Sequence, residues 1–386
     1  MGNTKSAESK SGAPSTTGPE SPRHLNPRIV AAYKRLTGGA EEGLRLQHFQ
    51  DACGDPLATN LWKYLGEDSV SPEDSMSIDV FGRHALSLVG TSTDVYVMLL
   101  MPVHHLLRVC FEAAGVEAVQ GDQKFISLLV EEMESTGKET ENIVQWNNSI
   151  CPKLCSAVQA KVLNAFYGIL EVKKDYSSDI LSPAQMFYLQ SCLPSKFFPS
   201  QGQGEENEQT RHWTPLYTSA EQGISVNRFE TNVFDYRGAT VAIFKLTDGG
   251  LVAVAIDQEW RHSAKRFGGP LTALYHFFPT CKRIECAGAV YCNLKLRSAF
   301  MGLSFDKFLS IDKGMNNVAA IEVWGCSGAT TLQEQQKLKQ WQSRQVEKNK
   351  RVPLPGNWDE NPDKTLLEMA GFTFSSERRD EGPRGD

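Results

Sequence analysis

Nine cysteines and eight histidines are the residues of this 386-residue chain with the most chemistry to offer, and their spacing decides what that chemistry could be. Cys151-Pro-Lys-Leu-Cys155 and the trio Cys281, Cys286 and Cys292 suggest a metal centre, but zinc sites use paired short spacings and four ligands. Here the thiols fall inside helix-like and strand-like apolar runs, so they read as small buried hydrophobes. His104-His105 are adjacent on a helix, with side chains about 100° apart. That suits a core or groove role better than one shared metal. No G-x-S-x-G, H-E-x-x-H, P-loop or strand-linked glycine fingerprint occurs, so no nucleophile or phosphate cradle is predicted.

The opening helices carry a second pattern. Leu44, Leu46 and Phe49, and again Met76, Ile78 and Phe81, fall where apolar positions of an EF-hand loop would lie. Aligned so, the first loop offers Thr37, Gly39 and Glu41 as ligands with His48 at position twelve; the second offers Ser69, Ser71 and Glu73 with Val80 at twelve. A calcium loop needs several carboxylates and a bidentate Glu at twelve. An EF-hand-like pair kept for packing, without metal, is expected.

Met1-Gly2 followed by Ser6 fits the pattern in which Gly2 receives a myristoyl chain. Residues 1–26 are Ser-, Gly-, Thr- and Pro-rich, too apolar-poor to offset the entropy of ordering, and read as a disordered leader. Lys5, Lys10 and Arg23 against Glu8 and Glu20 make it only faintly basic. A single myristate binds membranes marginally, and no cysteine precedes Cys53 to take a second acyl chain. The second membrane signal is therefore expected from a protein partner.

These features must be positioned by an ordinary globular chain: 40% apolar, 22% charged, net charge −6. An acidic balance argues against nucleic-acid binding, which needs a concentrated basic footprint. The odd number of scattered cysteines and the lack of a signal peptide favour a reducing, cytoplasmic setting. The longest apolar run, Val95 to Val109, is too short to span a bilayer and reads as one buried core helix.

Residues 27–195 show helical periodicity, including "NPRIVAAYKRL", "EAAGVEAV", "QKFISLLVEEM" and "LCSAVQAKVLNAFYGIL", and read as an array of short helices. Residues 196–211 read as a solvated linker. The period then changes: "TVAIFKL", a turn at Asp248-Gly249 and "LVAVAID" form a hairpin, and "TALYHFF", "KRIEC", "GLSFD" and "AAIEVWG" are further short strands, suggesting two packed sheets. Thr330 to Arg351 reads as an exposed helix bearing Trp341. "PDKTLLEMAGF" follows as a helix begun by Pro362 and capped by Gly371, with Leu366, Leu367 and Met369 in need of a surface.

Across residues 212–326 the strands resemble the TLDc domain. The resemblance rests on "HWTPLYTSAEQGISVNRFE" with Trp213, on the hairpin ending at Trp260, and on "FGGPLTALYHFFP" with Gly268. It continues through "KRIECAG", "YCN" and "GLSFD" to "IEVWG", with Glu322, Trp324 and Gly325. The loops before "GLSFD" and before "IEVWG" are shorter than the family's. The expected fold is α+β: a disordered leader at 1–26, an all-α array with a degenerate EF-hand-like pair at 27–195, a linker at 196–211, a shortened TLDc two-sheet sandwich with flanking helices at 212–328, and C-terminal helices and tail at 329–386.

The "MGN" start, the helical first half and the closing "NPDKTLLEMAGF" are similar to the myristoylated, lysosome-associated branch of that family, linked to mTOR signalling. The resemblance implies a non-enzymatic adaptor without cofactor that binds V-type ATPase subunits, at the cytoplasmic face of lysosomal or vacuolar membranes. Its helix after the sandwich, with Trp341, would reach into the pump. Trp213, Trp260 and Trp324 are expected to pack the sheets. Glu322, if it faces outward, would be a polar contact. An oxidative-stress protein or enzyme using its thiols is the alternative; a GTPase-regulatory module would need an arginine finger, for which no residue stands out.

Overall fold

The computed structural model describes residues 26–39, 43–67, 69–170, 174–198, 213–326, 337, 340–341, 344 and 362–371. Gly2 with the leader, most of the 196–211 segment and most of Thr330–Arg351 lie outside the described residues. The chain forms two compact units, Met1–Gly328 and Ala329–Asp386. In the second unit Trp341 is exposed on a helical turn, and the helix Pro362–Met369 leaves Leu366 and Met369 largely in solvent.

Helix α1 (Pro27–Leu36) starts with proline at its first position, where no amide hydrogen is needed, and Asn26 Oδ1 accepts from Arg28 N at 2.9 Å. Its buried stripe is Ile29, Ala32 and Leu36. With α2 (Leu46–Cys53), α3 (Asp55–Gly66) and α4 (Ile78–Leu88) it makes two helix-loop-helix units. The loops join through an antiparallel bridge at Leu44 and Met76, the two aligned eighth positions, with N–H···O distances of 3.1 and 2.7 Å. Tyr33 Oη clamps the bridge, donating to Met76 O (2.8 Å) and accepting from Leu44 N (3.0 Å). At the first position twelve, His48 Nδ1 accepts from Arg45 N (3.0 Å). At the second, Val80 N donates to Ser77 Oγ (3.4 Å), which caps α4.

The run from Val95 to Val109 is not one helix. It is α5 (Asp94–Leu99) and α6 (Val103–Ala114), separated at Pro102, whose ring cannot sit in a helix interior. "EAAGVEAV" likewise leaves the helix at Gly115, which takes the left-handed φ of 68° at the C-terminal cap. Then come α7 (Gln123–Met133), α8 (Thr140–Ile150), α9 (Ser156–Tyr167) and α10 (Pro183–Cys192). α9 packs against α1, α2 and α6, and its Phe166 also meets Phe81 of α4 at 5.4 Å between ring centroids. All nine cysteines are free and buried. His105 Nε2 meets the Asn60 side chain at 2.8 Å, while His104 is exposed.

The β half comprises β1 (Thr214–Thr218), helices α11 (Ser219–Gln222) and α12 (Val226–Val233), then β2 (Thr240–Leu246), β3 (Leu251–Ile256), β4 (Ser263–Phe267), β5 (Ala273–Phe278), β6 (Lys282–Glu285), β7 (Val290–Asn293), β8 (Gly302–Phe305), β9 (Leu309–Asp312) and β10 (Val318–Gly325). Two antiparallel sheets form, a large one in the order β1-β10-β2-β3-β5-β6 and a small one in the order β4-β7-β8-β9. Alternation along each strand sends successive side chains to opposite faces. In the large sheet Val241, Ile243, Ala253, Ala255, Tyr275, Phe277 and Trp324 join one continuous core with the helical array. Phe277 lies 5.9 Å from Phe125 of α7 and 6.1 Å from Tyr188 of α10. Ala242, Phe244, Val254, Ile256, Ile321 and Val323 are buried on the opposite face, and Trp260 bridges toward the small sheet by packing on Phe305 at 6.4 Å. The large sheet is thus covered on both faces.

Candidate functional site

The tryptophans expected at the sheets are all buried: Trp213 at 5% exposure, Trp260 at 2% and Trp324 at 7%. Trp213, just before β1, and Trp324 of β10 lie 6.5 Å apart, as the antiparallel register of those strands requires. Trp213 Nε1 donates to Phe197 O (2.8 Å) and its ring stacks on Phe198, over which Lys153 Nζ sits at 4.5 Å. Trp260 Nε1 donates to Thr240 Oγ1 at 2.9 Å, and Phe229 and Phe234 flank its ring. Buried aromatics with a satisfied polar handle contribute large areas and one fixed orientation. Gly325 has the same logic in reverse, since a Cβ there would lie 2.7 Å from the Tyr236 ring.

Glu322 does not face outward. It is 3% exposed, because it shares its side of β10 with Trp324, the side that packs on the helical array. Ser178 Oγ donates to its carboxylate, Asp179 N approaches its Oε1 at 3.4 Å, and Asp179 Oδ2 accepts from Thr218 Oγ1 at 2.9 Å. Burial pushes the Glu322 carboxyl up, with the neighbouring Asp179 adding to the effect against the opposing hydrogen bonds. This cluster ties the segment before α10 to β10, and it is not available to a partner.

Gly268 opens a tight loop between β4 and β5 with φ 113°, a backbone that side-chain-bearing residues avoid. The next residue explains the loop. At Gly269 a Cβ would fall 2.3 Å from Asp257 Oδ2, so only glycine lets that carboxylate enter. Asp257 accepts from Gly269 N (2.8 Å), Leu271 N (3.2 Å) and Thr272 Oγ1 (2.7 Å), with Lys196 Nζ 4.0 Å away. Burial alone would raise its pKa, but the bonds from Thr272, Leu271 and Gly269 outweigh this and hold it below its ordinary value. Asp257, Ser178 and Tyr236 were not picked out from sequence. The signal for Asp257 was the later Gly268-Gly269 pair, which needs a reason; Ser178 and Tyr236 carry none, their partners lying far along the chain.

Burial raises the pKa of several thiols. Burial pushes Cys53 up to about 11, and Cys281 and Cys292 up to about 12, so little thiolate exists near neutrality. A cavity of about 430 Å³ lies between α1, α2 and α9, lined by Arg35, His48, Asp51 and Asn164 among others. Two of these are already engaged, His48 with Arg45 N and Asp51 Oδ1 with Gln47 Nε2 at 2.7 Å. The described residues assemble no group of three or more His, Cys, Asp or Glu placed to hold a metal ion.

A two-sheet antiparallel domain whose large sheet carries a helical layer is the class this geometry defines. Comparison with protein families makes the likeness specific: residues 174–318 match the family model for the TLDc domain. The match begins upstream of His212, where the sequence resemblance starts, so the Ser178–Glu322 tether and α10 fall within or against it. Among curated proteins, the chain is similar to "Restriction of telomere capping protein 5" of Pyrenophora tritici-repentis, 41% identical over 54 residues, 14% of this chain and 8% of that one. The protein of the same name from Neurospora crassa is 37% identical over 59 residues, 15% and 10% of the two chains. The matched segments thus span a tenth or less of these relatives' length.

Proposed function

We propose that this chain is a non-enzymatic, membrane-recruited adaptor. Myristate on Gly2 brings it to the cytoplasmic face of lysosomal or vacuolar membranes, and the TLDc domain with the C-terminal helices holds subunits of the V-type proton ATPase there, in support of mTOR or stress signalling. The observation that carries this reading is a match to the TLDc domain in a chain whose second residue is a glycine in an acylation pattern. The most prominent side chains of the domain, Trp213, Trp260 and Trp324, are spent on packing, as in a scaffold that presents a surface. Trp341, 57% exposed, is free to meet a partner. The alternative, protection through thiol chemistry, is disfavoured by the burial of all nine thiols and by the raised pKa of Cys281 and Cys292 among them.

Fractionation of cells expressing wild-type and Gly2→Ala protein tests the membrane half. The membrane-bound share should fall in the variant, and also on deletion of residues 330–386. A Gly2→Ala protein as membrane-bound as wild type would contradict the reading. Assay of peroxide consumption by the purified protein tests the alternative, which requires turnover where the adaptor reading expects none.

A further inference from the structure

The small sheet differs from the rest of the chain in charge. The chain carries a net −6, yet the segments 261–267 and 290–313, which build the small sheet and its loops, hold seven Lys or Arg against two Asp, a net +5. Its inner face is apolar: Phe267, Val290, Cys292, Leu303, Phe305 and Ile311 are buried. On the outer face Tyr291, Ser304 and Ser310 align across β7, β8 and β9; Ser304 at the centre is buried, Tyr291 half-buried and Ser310 exposed.

Cations and apolar tips alternate around that face. The β7–β8 loop is held over the sheet by Asn293, whose Nδ2 donates to Leu296 O (2.8 Å) and Ser298 Oγ (3.0 Å) while its Oδ1 accepts from Leu296 N (2.8 Å). Thus pinned, the loop exposes Leu296 (53%) and Phe300 (38%), the latter packed on Tyr291 at 5.8 Å. At the other end of β8, the turn to β9 exposes Lys307 and Phe308, and Arg266 of β4 meets Asp306 at 3.8 Å. Lys295 is neutralised by Glu230 at 2.7 Å. Lys265, Arg297, Lys307 and Lys313 are exposed and have no carboxylate partner among the described residues.

We propose that the outer face of the small sheet is a contact surface for anionic phospholipid headgroups, with Leu296, Phe300 and Phe308 entering the interfacial layer between the lysines and arginines. Charge complementarity selects an acidic occupant, and the mixture selects a membrane. A protein interface concentrates apolar groups at a centre depleted of charge, whereas here the apolar side chains stand singly at loop tips, Leu296 beside Arg297 and Phe308 beside Lys307. Basic residues close to an anionic leaflet each add measurable affinity, and a surface of this kind supplies the second signal that one myristate requires. The inference extends the adaptor reading but does not need the lipid on Gly2 or the proton pump, so it can fail or succeed separately.

Co-sedimentation of the unmyristoylated full-length protein with phosphatidylcholine vesicles, with and without phosphatidylserine, tests it. The wild type should sediment with the phosphatidylserine vesicles only, and binding should weaken as salt rises past the screening range. Lys265→Glu/Arg297→Glu/Lys307→Glu should weaken binding by roughly tenfold or more with an unchanged melting temperature, whereas the control Lys34→Glu/Lys63→Glu/Lys138→Glu should bind nearly as wild type does. Leu296→Ser/Phe308→Ser should weaken binding while keeping its salt dependence. Sedimentation no better with phosphatidylserine than without it would overturn the proposal, as would equal losses in the two triple variants. So would a wild type that ignores vesicles while the first triple variant loses pump subunits from detergent extracts, for the surface would then be a protein interface.

Discussion

The two sheets of this domain are built from the same kind of short antiparallel strand and are put to opposite uses. Every strand position of β2 from Thr240 to Phe244 is buried, because one face meets the helices and the other the small sheet. In β4 three consecutive residues, Ala264, Lys265 and Arg266, are exposed, and only Phe267 is buried. The covered sheet is the scaffold, where sequence is constrained by packing and a change costs stability. The half-covered sheet is where sequence is free to set charge, and a change there should cost binding without touching the fold.

Removing a scaffold aromatic should break the comparison most severely. Trp260→Ala deletes a ring enclosed by Phe229, Phe234 and Phe305 and orphans Thr240 Oγ1, and should cost about 3–5 kcal/mol in denaturant unfolding. A variant that melts within a degree or two of wild type would show that the interior of the sandwich is not the scaffold described. Gly269→Ala comes next, at about 1–3 kcal/mol, since the new methyl group collides with Asp257; thermal melts of variant and wild type measure it.

The two buried carboxylates sharpen the comparison through opposite signs. Asp257, held low, contributes stability that is present above its ordinary pKa and lost as pH falls through the folded value. The stability gap between wild type and Asp257→Asn should therefore narrow in acid. Glu322, held high, is accommodated best when protonated, so wild type loses stability as pH rises from the ordinary glutamate pKa through the raised one. The stability of Glu322→Gln relative to wild type should then improve over the same rise, and melting curves across the acid-to-neutral range would show both trends. The smallest effect on stability belongs to Lys265→Glu/Arg297→Glu/Lys307→Glu, within about 0.5 kcal/mol per exposed site. A large loss of stability there would mean that the small sheet's outer face is structural after all.

How much of this was legible follows the same division. The strands of the large sheet announced themselves as apolar β-branched runs, and the Asp248-Gly249 turn appears as expected, with Gly249 at φ 90°. β4, "SAKRF", was invisible because a strand with one residue inward has no alternation to find, and β9 is four residues long. The EF-hand-like pair was readable from apolar spacing alone, and the Leu44–Met76 bridge falls at the aligned positions. α10 was readable as helix, but its packing partners were not. It buries nearly every residue from Ala184 to Cys192, so no polar face marks which neighbour it serves. The side taken by Glu322 stayed open in the sequence, because a carboxylate in a strand ordinarily seeks water while its partners Ser178 and Asp179 lie more than a hundred residues earlier, beyond any local pattern.

The adaptor reading is tested most directly by affinity purification of the full chain from detergent-solubilised membranes, scored for V-type ATPase subunits. The account predicts that they co-purify with wild-type protein and are lost on deletion of residues 330–386. Their consistent absence from the wild-type sample, with the protein itself recovered folded, would contradict it.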